Sequence, residues 1–197
     1  MPNILALFDF DGTISKKDSF IEFIKYYKGF HSFCFGFILL SPILLLYKIR
    51  LIKNWRAKKI VFSWFFKNES YKVFKSKCKC FSLTIIPQLI KPIALETIKK
   101  HIENGDKVII ISASFEDYLA DWCKSMNLEL LGTKIDFNKG FITGKIDGKN
   151  CYGDEKVIRL NQFLDLSLFN EIYAYGDSKS DLPLLEIANH RFYKFFR

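Results

Sequence analysis

No internal repeat and no low-complexity linker interrupts the 197 residues, which excludes a repeat array or a string of flexible segments. Cysteine is sparse and odd in number, five in all. The apolar start Met1–Leu7 is followed at once by aspartates, so no secretory signal is expected. Together these features point to reduced thiols in a cytosolic protein rather than a disulfide framework. Cys78-Lys79-Cys80 has neither the spacing nor the partner pair of a zinc clip. Acidic residues are scarce in one region: Lys16 to Lys100 holds eighteen Lys and Arg against four Asp and Glu. The remainder is mildly acidic, with two Asp before Lys16 and fifteen acidic against twelve basic residues from His101 onward. A basic segment is thus set into an acidic framework. Its lysines read mostly as a solvated helical surface, or as a field that attracts anions such as phosphorylated substrates, anionic lipid or nucleic acid.

A hydrophobic run long enough to cross a bilayer is also missing. Phe33–Tyr47 carries no charge, but fifteen helical residues span about 22 Å against a hydrocarbon core of about 30 Å. Pro42 works against one unbroken helix. Lys and Arg flank the run on both sides, so charge gives it no orientation. Two readings stay open: a buried or groove-lining helical hairpin, or contact with a membrane.

What is present suits one α/β domain with a modest insertion. Apolar residues make up 49% and aromatics 17%, with 21 Phe, which excludes disorder and implies large cores. The chain is organised around Ile4-Leu5-Ala6-Leu7-Phe8-Asp9-Phe10-Asp11-Gly12-Thr13. An apolar run of strand length ends in two aspartates one residue apart, as a parallel sheet presents chemistry at its carboxyl edge. Alternation puts Asp9 and Asp11 on one side of Phe10, and Gly12 lets the backbone turn away. Two close carboxylates repel unless one is protonated or a cation lies between them, which argues for Mg²⁺. A bare D-x-D is equally compatible with a solvated acidic turn.

Downstream, a helix is expected over Asp18–Lys28, capped by Asp18 or Ser19, with Phe20, Phe23, Ile24 and Tyr27 on one face. Asn54–Phe66 and Glu69–Phe81 read as helices, with Trp55, Trp64, Phe65 and Phe66 packing the insertion's core. Pro87–Asn104 reads as another, stopped by Asn104-Gly105. Then the pattern changes. Lys107–Ile111 is a continuous strand ending in Ser112-Ala113-Ser114, with a helix to about Met126. Leu128–Leu131 is a short strand, residues 133–146 a hairpin turning at Asn138-Lys139-Gly140, Glu155–Leu164 a helix, Glu171–Tyr175 a strand and Asp181–Ala188 a helix.

Four sites carry chemistry. Besides the first, Ser112 sits at a strand end, where a hydroxyl and helix-start N–H groups form a phosphate cradle, and Ser114 would add a further hydroxyl or amide. Lys156 opens a helix after Gly153-Asp154-Glu155. Tyr175-Gly176-Asp177-Ser178-Lys179-Ser180-Asp181 presents two carboxylates four residues apart after a strand. In order and context these resemble the four motifs of the haloacid dehalogenase-like (HAD) hydrolases. Asp9-Phe10-Asp11-Gly12-Thr13 matches the first, Ser112 the second, Gly-x-x-Lys-Val the third and Gly-Asp-x-x-x-Asp the fourth.

The resemblance covers the whole chain and implies a Rossmann-like parallel sheet flanked by helices over residues 1–15 and 91–197. An all-helical cap over 16–90 would be inserted in it. It further implies that Asp9 attacks phosphorus to form an aspartyl-phosphate, and that Asp11 serves first as acid, then as base. Mg²⁺ would be held by Asp9, the Asp11 carbonyl and Asp177, with Asp181 supporting its water shell. Lys156, Ser112, Ala113 and the turn at Gly12 and Thr13 would bind the phosphoryl group. The cap's placement resembles subfamily IB, which contains the phosphoserine phosphatases, and Asp18 stands where those carry a Glu that reads the substrate amine. No counterpart of their carboxylate-binding arginine is evident. The apolar stretch resembles more closely the branch containing a phosphatidylglycerophosphate phosphatase. The expected activity is Mg²⁺-dependent phosphomonoester hydrolysis on a lipid or apolar-tailed phosphate, with a phosphoserine-like small metabolite as the alternative. An anionic membrane surface is an open partner through residues 33–53. No nucleic acid is expected, since that reading leaves the four motifs without a role.

Overall fold

The computed structural model describes residues 3–196. Its centre is β1 (Ile4–Phe8), wholly buried from Leu5 onward because both faces of the sheet are covered. β2 (Lys107–Phe115) pairs with it in parallel on one side, setting Phe8 beside Ile110. β5 (Glu171–Gly176) pairs in parallel on the other, setting Phe8 beside Tyr175. With β3 (Glu129–Asn138), β4 (Phe141–Asp147) and β6 (His190–Tyr193) the sheet has six strands in the order β4-β3-β2-β1-β5-β6. All neighbours are parallel except β3 and β4. Alternate β1 residues feed opposite cores: Ala6 and Phe8 join a large aromatic cluster, Leu5 and Leu7 a smaller aliphatic one. The expected α/β architecture with a mostly parallel, helix-flanked sheet is therefore observed.

Between β1 and β2 the chain forms α1 (Ser19–Lys28), α2 (Phe30–Lys48), α3 (Asn54–Phe66), α4 (Tyr71–Thr84), a single turn α5 (Ile86–Leu89) and α6 (Pro92–Glu103). Asp18 caps α1 by accepting the Ile21 N–H at 2.9 Å. The passage out and the passage back run side by side: Ser15 pairs with Ile90, Lys16 donates to Leu89 O and Lys91 to Ile14 O. This pairing splits the single helix expected over 87–104, because Ile90 takes extended backbone. The helices share an aromatic core in which Phe23 touches Tyr27, Phe66, Phe74, Phe81 and Tyr118. Phe65 and Phe66 are buried as expected, but Trp55 and Trp64 are not, Trp64 being 51% exposed.

Residues 33–47 form no hairpin, one of the two readings left open for them: they lie in one continuous helix, α2, about 28 Å long at 1.5 Å per residue. The helix runs past the uncharged stretch at both ends and is, by length and composition, long enough to cross a bilayer. Pro42 lies inside it. A proline removes the bond that Ile38 O would accept four residues earlier, and the Ser41 hydroxyl takes that place at 2.7 Å. Nor is the helix buried; only Gly36 and Leu40 are enclosed.

After β2 come α7 (Glu116–Ser125), the β3–β4 hairpin, α8 (Asp154–Phe163), β5, a short 3₁₀ turn, α9 (Leu182–Glu186) and β6. The third strand is longer than the four residues expected, since its second half leaves β2 to pair with β4. Its turn is at the expected place, with Lys139 and Gly140 both at positive φ. The hairpin tip also bonds the start of α4: Asn68 N donates to Ile142 O, Ile142 N to Glu69 O and Tyr71 N to Gly140 O.

Candidate active site

Parallel register brings the ends of β1, β2 and β5 together, and α8 adds its first turn from the side. Here a cleft of about 430 Å³ is lined by Asp9, Asp11, Ser112, Ala113, Lys156 and Ser178 on the sheet side. Its opposite wall comes from the helices: Phe20, Phe37, Leu44, Tyr47 and Val61, with Asp18 and Lys58.

At the floor lies a buried ion triad. Lys156 Nζ donates to Asp9 Oδ1 at 2.5 Å and to Asp181 Oδ1 at 2.6 Å. All three side chains are nearly closed to solvent. Burial pushes the Asp9 carboxyl up, to about 7, against the pull of Lys156; the charges of Asp181 and Asp11 add to the rise. Burial acts the same way on Asp181, but Lys156 and hydrogen bonds from Ser178 outweigh it and hold that carboxyl below its usual range. Lys156 is correspondingly raised: the two carboxylates overcome its desolvation. The other Asp181 oxygen accepts from Asp177 N, Ser178 N and Ser178 Oγ, so this side chain is saturated.

Asp177 ends the next strand. Its carboxylate, with those of Asp9 and Asp181, has oxygens within 4.8 Å of one another. Thr13 Oγ1 lies 3.2 Å from Asp9 Oδ2 and 3.4 Å from Asp177 Oδ1, bridging the two from below. Gly12 is held at φ +82°, and a Cβ there would fall 2.4 Å from Asp177 Oδ2, so the turn fits only glycine. Lys91 Nζ donates to the Gly12 carbonyl. The Asp9, Asp177 and Asp181 carboxylates around one small space, with Asp11 beside them and Lys156 as the buried counter-charge, make an all-oxygen set whose excess negative charge suits a hard dication. Mg²⁺ fits this donor set. Asp181, fully hydrogen-bonded, would orient its neighbours rather than bind.

Asp11 is held differently. Its Oδ1 accepts the Ser19 N–H at 2.7 Å and its Oδ2 the Ser114 hydroxyl. Ser114 and Ser19 share a 2.9 Å hydroxyl contact, and Ser19 Oγ lies 3.4 Å from the buried Tyr118 hydroxyl. Burial, then the charge of Asp18, raises the Asp11 carboxyl, while the bonds from Ser114 and Ser19 oppose the rise. Ser112 Oγ accepts the Ser114 N–H at 3.0 Å. Ser112 does not stand at a helix start as expected: the strand continues to Phe115, and α7 begins at Glu116.

The sequence reading thus placed Asp9, Asp11, Ser112, Ala113, Lys156, Asp177 and Asp181 at one edge, and the fold brings them there. Thr13 is buried behind Asp9 rather than lining the cleft, and Asp18 reaches its rim while capping α1. One residue was missed. Lys58 of α3 reaches over the Phe115 ring, 4.6 Å from its centre, and donates to Ala113 O. Burial pushes it down to about 8, with Asp11 and Asp18 pulling the other way. Its signal was available: in α3 the positions Ala57, Lys58, Val61, Phe62, Phe65 and Phe66 form one stripe, and Lys58 is the only charge in it.

Residues 6–186 match the family model of the haloacid dehalogenase-like hydrolases. Protein CicA of Caulobacter vibrioides is 32% identical over 98% of this chain and 87% of its own length. Histidinol-phosphatase of Neisseria meningitidis is 31% identical over 53% of this chain and 50% of its own. Among solved structures, a Bordetella pertussis protein of unknown function superposes with a TM-score of 0.83 at 23% identity, covering 95% of this chain and 88% of that one. A phosphoserine phosphohydrolase-like protein from Francisella tularensis gives 0.68 at 19% identity, covering 94% and 82%. With its motifs converging on one sheet edge and its length matched almost throughout, the chain belongs to the haloacid dehalogenase-like hydrolase family.

Proposed function

We propose that the protein transfers the phosphoryl group of an apolar-tailed phosphomonoester to Asp9 and then to water. One observation carries this reading: Asp9 lies at the floor of a cleft with Asp11, Ser112 and Lys156 on one side and a mostly apolar wall, bearing Asp18 and Lys58, on the other. Asp9 Oδ attacks phosphorus as the ester P–O bond breaks, and the leaving alkoxide takes a proton from Asp11. Asp11, now a carboxylate, takes a proton from water; the water oxygen displaces Asp9 from phosphorus and inorganic phosphate leaves. Asp11 suits both tasks, since burial favours its protonated form while Ser114 and Ser19 hold its carboxylate in one orientation. Lys156 keeps Asp9 oriented and places positive charge beside the phosphoryl oxygens. Ser112, whose oxygen already accepts from Ser114 N, keeps its own proton for a phosphoryl oxygen. Mg²⁺, held by Asp9 and Asp177 with the Asp11 carbonyl, would neutralise charge developing on the phosphoryl group.

Residues 16–90 serve in this reading as a cap over 1–15 and 91–197. The apolar wall of Phe20, Phe37, Leu44, Tyr47 and Val61 supports an apolar alcohol. A second reading has its own observation. Asp18 and Lys58 put opposite charges on one rim, a pair suited to the amine and carboxylate of a phosphoserine-like substrate.

The test is kcat/KM for alkyl phosphates of increasing chain length against phosphoserine, with Mg²⁺, alongside Asp9→Asn. We expect activity to rise with chain length, and a hydroxylamine-sensitive phosphoenzyme in the native protein that is absent from the variant. Turnover of Asp9→Asn at the native rate would remove the covalent mechanism. Phosphoserine as the best substrate would move the reading to the second.

A further inference from the structure

Among the described residues, helix α2 has a partner on only one side. Gly36 and Leu40 face inward, where Gly36 lets the helix approach α3 so closely that a Cβ would meet the Phe65 ring at 2.4 Å. Phe37, Leu44 and Tyr47 reach the cleft. The outward side should be polar in a helix that ends in water. Instead Phe35, Ile38, Leu39, Pro42, Leu45, Leu46 and Ile49 recur at intervals of three and four as one exposed apolar stripe. Ile38 is 69% exposed, Leu45 59%, and Leu51 just beyond the helix 73%. A contiguous patch of this kind marks a surface built to be covered.

Charge identifies the cover. From Phe30 to Asn68 the chain has seven Lys and Arg and no Asp or Glu. Lys48, Arg50 and Lys53 follow one end of the stripe; at the other end Lys25 and Lys28 are paired with Glu22 and Glu69, so the excess charge lies at the first end. A second copy of the chain would set these like charges against each other. An anionic surface with an apolar interior complements both the stripe and its charged end. By length and composition α2 could also cross a bilayer, but doing so would take it away from α1 and α3 and open the cleft wall, so its inward contacts favour lying on the surface. The geometry points to peripheral docking: we infer that α2 lies in the headgroup plane of an anionic lipid bilayer with its outer stripe in the acyl boundary. The same helix walls the cleft, so an amphiphilic phosphomonoester could keep its tail in the bilayer while its phosphate reaches Asp9. That last step rests on the function proposed above; the docking itself does not.

Co-sedimentation of the full chain with phosphatidylglycerol–phosphatidylcholine vesicles, and with phosphatidylcholine alone, tests the docking. The variants are Ile38→Glu/Leu45→Glu, which acts on the stripe, and Lys48→Glu/Arg50→Glu, which acts on its flank. Aryl-phosphate hydrolysis in the absence of vesicles is measured in parallel. We expect binding to the anionic vesicles that weakens with salt, an at least tenfold lower partition coefficient in each variant, and aryl-phosphate turnover within twofold of native. Absent binding at low salt, equal binding to neutral vesicles, or unchanged binding in the stripe variant would overturn the docking. So would a native dimer in light scattering that the stripe variant converts to monomer, because a second copy would then be the cover. Vesicle binding without any phosphatase activity would leave the docking standing and overturn the function proposed above.

Discussion

Replacing Lys156 by Met tests how the site holds its charge. The lysine's Nζ lies 2.5 Å from Asp9 and 2.6 Å from Asp181, and side-chain exposure is 1%, 9% and 1% for Lys156, Asp9 and Asp181. Met fills similar volume but leaves two buried carboxylates without their cation. Removing one partner of a buried ion pair costs about 3–5 kcal/mol. One circumstance sets the expected value within that range. Asp9 already titrates at about 7, and without Lys156 it moves higher, so at neutral pH it escapes the penalty by taking up a proton. The expected cost is therefore at the lower end, about 3 kcal/mol, which for a chain of this size lowers Tm by roughly 6–12 °C. Because the escape requires a proton, the loss should be smaller at pH 6 than at pH 8. A protonated Asp9 cannot attack phosphorus, and a cation is lost from beside the phosphoryl group, so kcat should fall by about 10³. Differential scanning fluorimetry without and with Mg²⁺, beside aryl-phosphate turnover, separates the two effects. The metal restores part of the Tm and little of the rate. A Tm within about 2 °C of native, with kcat within tenfold, would refute the reasoning.

Three further outcomes follow from the same geometry. Asp11→Asn should slow phosphoenzyme formation far more for alkyl than for aryl phosphates in single turnover, since only poor leaving groups need a proton; equal losses would remove Asp11 as the acid. In metal-free protein, the folded state keeps a proton on Asp9 up to about pH 7, whereas the unfolded chain releases it near 3.8. Stability should therefore fall as pH rises from about 4 to 7, and Mg²⁺ should raise Tm more at pH 8 than at pH 5; the same Tm gain at both would contradict this. Lys58, pushed down to about 8, should lose its charge as pH rises through that value and take kcat/KM down with it. Lys58→Gln should lower the plateau and flatten that limb, and an unchanged limb would show that another group titrates.

Which parts of this were readable beforehand follows from where the information lies. Strand ends were readable because an apolar run such as Ile4–Phe8, broken by Asp9, records burial and its end in adjacent residues. The second half of β3 was readable as a hairpin arm, since Lys134 and Asp136 alternate with the buried Ile135, but its continuity with the strand beside β2 was not, because one strand changes partner midway. The split at Ile90 depended on Ser15, seventy-five residues away, and no local pattern encodes that pairing. Asp9 and Asp11 were legible as two carboxylates at a strand end, whereas Lys156 and Asp177 stood out through their resemblance to the third and fourth motifs of the family. Lys58 was harder, since one lysine among many in a basic segment stands out only once α3's buried stripe is drawn.

Helix α2 marks a different limit. Hydropathy records how strongly a segment avoids water, but it does not record what shields it. Phe33–Tyr47 is apolar on the face that meets Phe65 and equally apolar on the face that meets nothing, so no periodicity separated the two. A helix buried in a core and a helix on a bilayer satisfy the same composition. They differ only in whether the outer stripe touches protein, and among the described residues Ile38, Leu45 and Leu51 remain more than half exposed. Pro42 pointed the wrong way for a related reason. Its cost in a helix is a lost hydrogen bond, and that cost depends on whether a neighbour supplies another donor. Ser41, adjacent in sequence, supplies it. Read as Ser-Pro rather than as Pro alone, the segment is compatible with one rigid rod, and a rod is what a surface helix needs to present a continuous apolar stripe on one side and a cleft wall on the other.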